Sequence, residues 1–312
     1  MANPYISIVT TVLNGMPYVR DAVNSILGQS FSPLEYIVVD AGSSDGTAEY
    51  LQGVQDPRLS ILREPGIGQY EAIDLGLRRA RGEVLGWLNA DDLYYPWTLN
   101  LVQLFFSAFS NVHWLTGLPS HIDSQGRCTK IGGAPAAYPA AALQKGWFSP
   151  EFLGSIQQES TFWRKELYEA AGGLDCRYRL AADAHLWGKF ALHAELTTAN
   201  VPLAAVRHHD GQRSVAGREA YAREVLQFQR CEEISGKLLR RMCRYHPVLQ
   251  YTLLLAYTAK SPMLTYDYRS CTWQLVRTRR SVSRYPLSTL RAALDATVQA
   301  KQQGSPAPGA LS

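Results

Sequence analysis

Between residues 5 and 89, short apolar runs alternate with longer amphipathic ones. Residues 5–12 (YISIVTTV) are few and β-branched, which predicts a strand buried on both faces. Asn14-Gly15 breaks that run. Pro17 follows where a helix can start, because its missing N–H is no loss in a first turn. Val19, Val23, Ile26 and Leu27 then share one helical face. Residues 34–40 (LEYIVVD) predict a second strand, with AGSSDGT as its loop and a helix through Tyr50 and Leu51. Residues 58–65 predict a third strand, stopped by Pro65-Gly66, and Ala72, Ile73, Leu75, Leu77 and Ala80 suit the next helix. Residues 83–89 (EVLGWLN) predict a fourth strand, whose carboxyl end leads into Ala90-Asp91-Asp92.

Strands and helices alternating at this spacing argue for an α/β fold with a mostly parallel central sheet and right-handed crossovers. Ligands of such sheets bind beyond the carboxyl ends of the strands. That rule brings Asn14, Asp40 and Asp91-Asp92 to one rim, although they are far apart in sequence. Past residue 111 the pattern is less regular. Residues 111–127 predict a hairpin turning at 123–126, and 164–171 a helix ended by Gly172-Gly173. A short helix is expected near Asp183, and a strand over 195–209. Tyr221, Val225, Phe228, Leu238 and Met242 are spaced as on a helix. The expected organisation is one catalytic domain over 1–214, a basic and mainly helical appendage over 215–300, and a disordered tail over 301–312.

Composition allows a sizeable core: 46% of the 312 residues are hydrophobic and 19% charged. The net charge of +4 hides an asymmetry. Residues 213–312 carry 16 Lys and Arg against 6 Asp and Glu, a net of +10, which leaves 15 against 21, a net of −6, for residues 1–212. A basic end on an acidic body suggests an anionic partner such as a membrane surface, and no nucleic-acid motif accompanies it. Five cysteines without a CxxC pair argue against a zinc cage or a disulfide framework and for scattered buried thiols. The start of the chain has no basic segment followed by a long apolar run, and the apolar stretch at 248–259 is far shorter than the roughly 20 residues of a bilayer span. The expected location is the cytoplasm, with peripheral contact at the inner face of the membrane through the basic region.

Adjacent carboxylates at a strand end can hold a hard cation such as Mg²⁺ or Mn²⁺, and the same residues can equally close a turn. Asp40 could receive a nucleobase while Ser44 or Asp45 caps the following helix. Adjacent His208 and His209 fit either a metal site or a surface loop.

The ordered set SIVTTVLNG, EYIVVDAGSSDGT, REPGIGQYEAIDLGLRRARGEVLGWLNADD and GGLDCRYRLAADAHLW resembles the family-2 glycosyltransferases of the Rossmann-like GT-A fold, over about residues 5–214. The resemblance implies an inverting enzyme that uses a nucleotide-diphosphate sugar and a divalent Mn or Mg ion. It implies nucleotide-sugar contacts for Thr10, Asn14, Asp40 and Asp91, and metal binding by Asp92 and Asp91, with Asp92 the direct ligand. Asp183 matches the catalytic base, although Ala184 and His185 stand where the family usually has other residues. Gln158 corresponds to an acceptor-side position, and Arg207 and His209 to a late loop that closes on the diphosphate. The implied acceptor is a glycan or a lipid-linked molecule. Two other readings compete. A nucleotidyltransferase would favour a Gly-rich, Lys-containing phosphate loop, whereas residues 13–17 are Leu-Asn-Gly-Met-Pro. A catalytically inactive relative that binds a nucleotide sugar or senses a glycan would not need Asp40, Asp92 and Asp183 together.

Overall fold

The computed structural model describes residues 4–132, 138–144, 148, 155–210, 212, 217–228 and 261–278. Four strands run along the N-terminal half: β1 (Ile6–Val12), β2 (Leu34–Asp40), β3 (Leu59–Arg63) and β4 (Val84–Trp87). They lie in the order β3-β2-β1-β4, and every pairing among them is parallel. Helices α1 (Val19–Leu27), α2 (Thr47–Gly53) and α3 (Gln69–Arg79) make the crossovers. The expected ends hold to within two residues, because near-continuous apolar runs are what a sheet covered on both faces requires.

One face of the sheet buries Ile6, Ile8, Tyr36 and Val38 under α1 and α4 (Thr98–Ala108). The other buries Val9, Ile37, Val39 and Leu85 under α3 and α7 (Ala182–Phe190). Helix α3 comes so close to β1 that a Cβ on Gly76 would sit 2.5 Å from the Val9 side chain, so only glycine fits there. Trp187 stacks on Trp87 with centroids 5.8 Å apart and on Trp114 at 5.7 Å, and Leu186 and Phe190 are fully buried. These side chains seat α7 on the sheet and thereby fix the helix that carries Asp183.

The sheet continues past β4 through β9 (Thr161–Arg164), β6 (Trp114–Thr116), β10 (Thr197–Ala199), β12 (Ser261–Asp267) and β13 (Thr272–Thr278). Strand β9 is antiparallel to both of its neighbours, which makes the sheet mixed at its centre. The predicted strand over 195–209 is two strands. Val201-Pro202-Leu203 interrupts it, and β11 (Ala204–Arg207) leaves for a small second sheet in the order β5-β11-β7-β8, with β5 (Leu93–Tyr94), β7 (Ser120–Ile122) and β8 (Cys128–Ile131). The 123–126 turn joins β7 to β8, as the hairpin pattern predicts.

Within 215–300 the described residues hold one helix, α8 (Arg218–Phe228), and the hairpin β12–β13, which pairs with β10 and extends the central sheet. Residues 261–278 are therefore strand where a mainly helical appendage is expected. Ser-Pro-Met-Leu-Thr-Tyr and Thr-Trp-Gln-Leu-Val-Arg favour an extended chain, and Met263 and Leu264 bury against the sheet. The expected tail over 301–312 and the apolar stretch over 248–259 lie outside the described residues. Cys128 and Cys271 are exposed and Cys176 is half-buried, so the expectation of buried thiols does not hold for these three; all are unpaired.

Candidate active site

The loops after β1 and β2 are tied together by short polar side chains. Asn14 adopts a left-handed φ of 55°, which asparagine tolerates better than most residues. Its backbone N–H donates to Ser43 Oγ at 2.9 Å, and its Oδ1 accepts from the Ser44 N–H at 2.9 Å. Asp45 takes the Met16 N–H on one oxygen and the Thr47 N–H on the other. Gly46 occupies the N-cap position of α2, so Asp45 supplies a capping carboxylate from one residue further out. Asp40 is 2% exposed, and its Oδ1 accepts from the Ser43 N–H at 2.9 Å. Thr10 is fully buried, and among the described residues its hydroxyl makes no hydrogen bond of good geometry. Its side chain lies under the rim, towards Tyr36; Thr11, on the opposite face of β1, is half-buried.

The second sheet brings a late segment to the Asp91-Asp92 turn. Strand β11 pairs antiparallel with β5, Ala205 facing Leu93, and extending that register sets Arg207 opposite Asp91. The Arg207 N–H donates to Asp92 Oδ1 at 2.8 Å, Nε to the Asp91 carbonyl at 2.8 Å, Nη1 to the Ser124 carbonyl and Nη2 to Asp21 Oδ2. The guanidinium also lies 4.8 Å from the centre of the Tyr18 ring. Arg207 is fully buried, so its charge is matched by these fixed partners.

Asp91 and Asp92 face different surroundings. Asp92 is 1% exposed, and its second oxygen accepts from Asn89 Nδ2, which also donates to Glu159 Oε1. Burial, then the charges of Glu159 and Asp91, hold Asp92 well above the usual carboxylate range. Burial likewise raises Glu159 to about 7, and the charges of Asp91 and Asp183 push it the same way. Asp91 is more open, and its Oδ2 is 3.1 Å from His209 Nε2. His209 Nδ1 is 2.9 Å from the Asp210 carbonyl, to which it can only donate. The lone pair of a neutral His209 then points from Nε2 at a carboxylate oxygen. That arrangement calls for a positive species between them, either a proton or a metal ion.

Among the described residues no group of three or more His, Cys, Asp or Glu side chains forms a metal cage. One carboxylate and one imidazole at the rim could supply two ligands to a divalent cation such as Mn²⁺, with the remaining positions left to water and substrate phosphates.

Asp183 stands in the first turn of α7. Tyr70 OH lies 3.3 Å from its Oδ1 and donates to the Leu180 carbonyl at 2.8 Å. Burial raises Asp183 to about 6 against the opposing hydrogen bonds from Ala184 and Tyr70. Gln158 is buried and donates from Nε2 to the Trp87 carbonyl at 2.7 Å, holding the end of β4. Asn14, Asp40, Asp91, Asp92, Arg207 and His209 thus gather at the strand ends, with Glu159 joined to Asp92 through Asn89. Thr10 and Gln158 support the site from within. Sequence reasoning does not single out Tyr18, Asp21, Tyr70 or Asn89, because only the tertiary register brings them to the carboxylates. Glu159 follows Gln158, the position read as acceptor-side, yet its link to Asp92 through Asn89 is visible only in the fold.

An α/β sheet with acidic side chains at its carboxyl rim and a small second sheet beside them is the arrangement of a GT-A-like fold. Residues 7–128 match the model of glycosyl transferase family 2. An uncharacterized glycosyltransferase of Rickettsia typhi is 38% identical over 94 residues, 30% of this chain and 29% of that protein. One of Nostoc sp. is 24% identical over 248 residues, 75% of this chain and 74% of its own. A putative teichuronic acid biosynthesis glycosyltransferase of Bacillus subtilis, TuaG, is 36% identical over 92 residues, covering 28% and 36% of the two chains. The chain thus spans less than a third of the length of the Rickettsia typhi relative. The fold is shared with S. aureus TarS in complex with UDP, at a TM-score of 0.56 and 16% identity over 72% of this chain and 64% of that one. It is also shared with a Pyrobaculum calidifontis mannosyltransferase in complex with GDP-Man and Mn²⁺, at a TM-score of 0.50 and 19% identity over 98% and 77%.

Proposed function

We propose that the chain is an inverting, divalent-metal-dependent enzyme that moves a sugar from a nucleotide-diphosphate sugar to an acceptor hydroxyl, in the synthesis of a cell-surface polysaccharide. The observation that carries this reading is the pair of acidic sites: Asp91 with His209 at the strand rim and Asp183 at the start of α7. TarS holds UDP and the mannosyltransferase GDP-Man with Mn²⁺ on the same fold, and the TuaG name favours a polysaccharide product.

Asp91 and His209 would hold the metal, whose chemistry is to neutralise the charge developing on the departing nucleoside diphosphate. Asp92 would shape that turn from below, since both of its oxygens are already engaged. Arg207 would lock the turn rather than reach the diphosphate, since its donors are spent on Asp91, Ser124 and Asp21. Asp40 and the latched 42–47 loop would surround the nucleobase. On the acceptor side, Asp183 would take the hydroxyl proton as that oxygen attacks the anomeric carbon, while the carbon–phosphate-oxygen bond breaks and its electron pair leaves with the diphosphate. A carboxylate near pH 6 is ionised at neutral pH yet still basic enough for this task.

The test is a panel of UDP-, GDP- and dTDP-sugars scored for nucleotide release with Mn²⁺, with Mg²⁺ and with chelator. Metal-dependent release from one donor is the expected result. Donor-induced thermal protection without release under any condition would favour the inactive-relative reading instead.

A further inference from the structure

Helix α8 lies outside the segment that matches the family, yet one of its faces is applied to the Asp183 element. The contacts fall at 221, 224, 225 and 228, the spacing of a single helical stripe. Tyr221 is near enough to Asp183 for that charge to raise its phenol well above the ordinary range, with burial the larger cause. Val225 is 3% exposed, and the Phe228 ring sits 5.0 Å from those of both His185 and Tyr178.

The contact at 224 is the specific one. Glu224 Oε1 accepts the Arg179 N–H at 3.0 Å, and Oε2 accepts the N–H groups of Leu180 at 2.8 Å and Ala181 at 2.9 Å. Three consecutive amides leading into α7, two residues before Asp183, therefore close on one carboxylate. Backbone N–H groups at a helix start are an anion-binding arrangement, and here the anion comes from the chain itself. The Leu180 carbonyl of the same tripeptide accepts from Tyr70 OH, the hydroxyl that also faces Asp183. A bent or slack 179–181 segment would move the acidic side chain and its tyrosine partner together.

We propose that Glu224 is the positioning residue for Asp183: its carboxylate clamps the 179–181 amides and so fixes where the base stands over the acceptor. This rests on the reading of Asp183 as the base. Glu224 does not touch the reacting atoms. The groups facing Asp183 are Tyr70 from α3, Tyr221 and Glu224 from α8, and Glu159 from the segment before β9. Of these, Glu224 both binds the backbone and adds a negative charge that holds the proton on Asp183 more tightly.

Glu224→Gln and Asp183→Asn, made in the full chain, separate the possibilities. In the wild-type chain the amides of 179–181 should exchange slowly with deuterium; free exchange there overturns the clamp without any variant. In Glu224→Gln the same amides should exchange about tenfold faster, since a charge-assisted acceptor is lost. With whichever nucleotide sugar the panel finds turned over, and Mn²⁺, kcat should fall about tenfold or more while donor KM stays unchanged. The acid limb of the kcat profile should also move to lower pH, because a negative neighbour has been removed. A purely structural helix would lower the melting temperature and leave both limb and kcat in place, which overturns the proposal. If Asp183→Asn transfers at the wild-type rate, the base assignment fails, and the exchange result still decides the clamp.

Discussion

At the scale of single residues, two adjacent aspartates have opposite fates because one side chain points into the protein and the other along its rim. Asp92 is spent on Arg207 and Asn89, whereas among the described residues the Asp91 carboxylate meets His209. Asp91→Asn or His209→Ala should therefore weaken Mn²⁺ binding, read by titration with UDP or GDP present, by about tenfold or more, with little change in melting temperature. Asp92→Ala should do the reverse in degree, lowering stability by about 1–3 kcal/mol as the buried Arg207 N–H and Asn89 amide lose their acceptor. Equal metal affinity in Asp91→Asn and wild type would remove Asp91 from the ligand set. Asp183 supplies a second prediction, in which the sign matters. Its folded pKa of about 6 lies above the unfolded value of about 3.9. Its protonated form is thus the favoured one in the fold, and the stability this provides is complete below pH 4 and lost as pH rises through 6. Asp183→Asn should consequently be more stable than wild type at pH 7.5, by on the order of 1 kcal/mol, with the gap closing near pH 4. Melting curves at the two pH values check this.

Among the elements, β1, β2 and β4 were legible because each is a compact apolar run buried on both sides, and β3, a partly exposed edge strand, because Pro65-Gly66 stops it. The rim residues were legible with them, since a strand that ends at Asp40 or just before Asp91 can only deliver them to the carboxyl edge. Side-chain direction was not legible. Thr10 and Gln158 lie next to the site yet turn inward: for Thr10 a one-residue change of face along β1 decides this, and Gln158 stands in a short helical turn before β9. Arg207 reads as a free cation in a His-rich loop, and becomes a structural clamp only once β11 pairs with β5. The hairpin β12–β13 was obscured because it adds to the sheet through β10, more than 60 residues away in sequence. It is an integral part of the core: Leu264 is fully buried, and Trp273 meets Phe105 edge-on with centroids 4.8 Å apart. Leu264→Ala should cost about 2–5 kcal/mol, whereas Leu226→Ala, at a side chain 58% exposed, should cost little. Urea unfolding of both variants tests this, and equal, small effects would mean that the hairpin is not part of the folded core.

For the whole molecule, the charge asymmetry divides a negative body from a positive C-terminal third. No helix of the described residues is long and apolar enough to cross a membrane. A lipid-linked acceptor would place the enzyme at a membrane surface, and each Lys or Arg near an anionic leaflet contributes about 1 kcal/mol of attraction. The full chain should float with phosphatidylserine vesicles at low salt and release at high salt; no flotation at low salt would leave the basic region without that role. The proposed function divides the work between two acidic positions, a donor side at Asp91 and an acceptor side at Asp183. The most direct test of that division is the transfer rate of Asp183→Asn, measured with its donor affinity on the same preparation. Asparagine keeps the size and hydrogen bonding of the helix start but cannot take the acceptor proton. Unchanged donor affinity with transfer slowed by about 10²–10⁴-fold is the expected result. Transfer at the wild-type rate would contradict the account and move the base elsewhere, with Glu159 the next carboxylate in line.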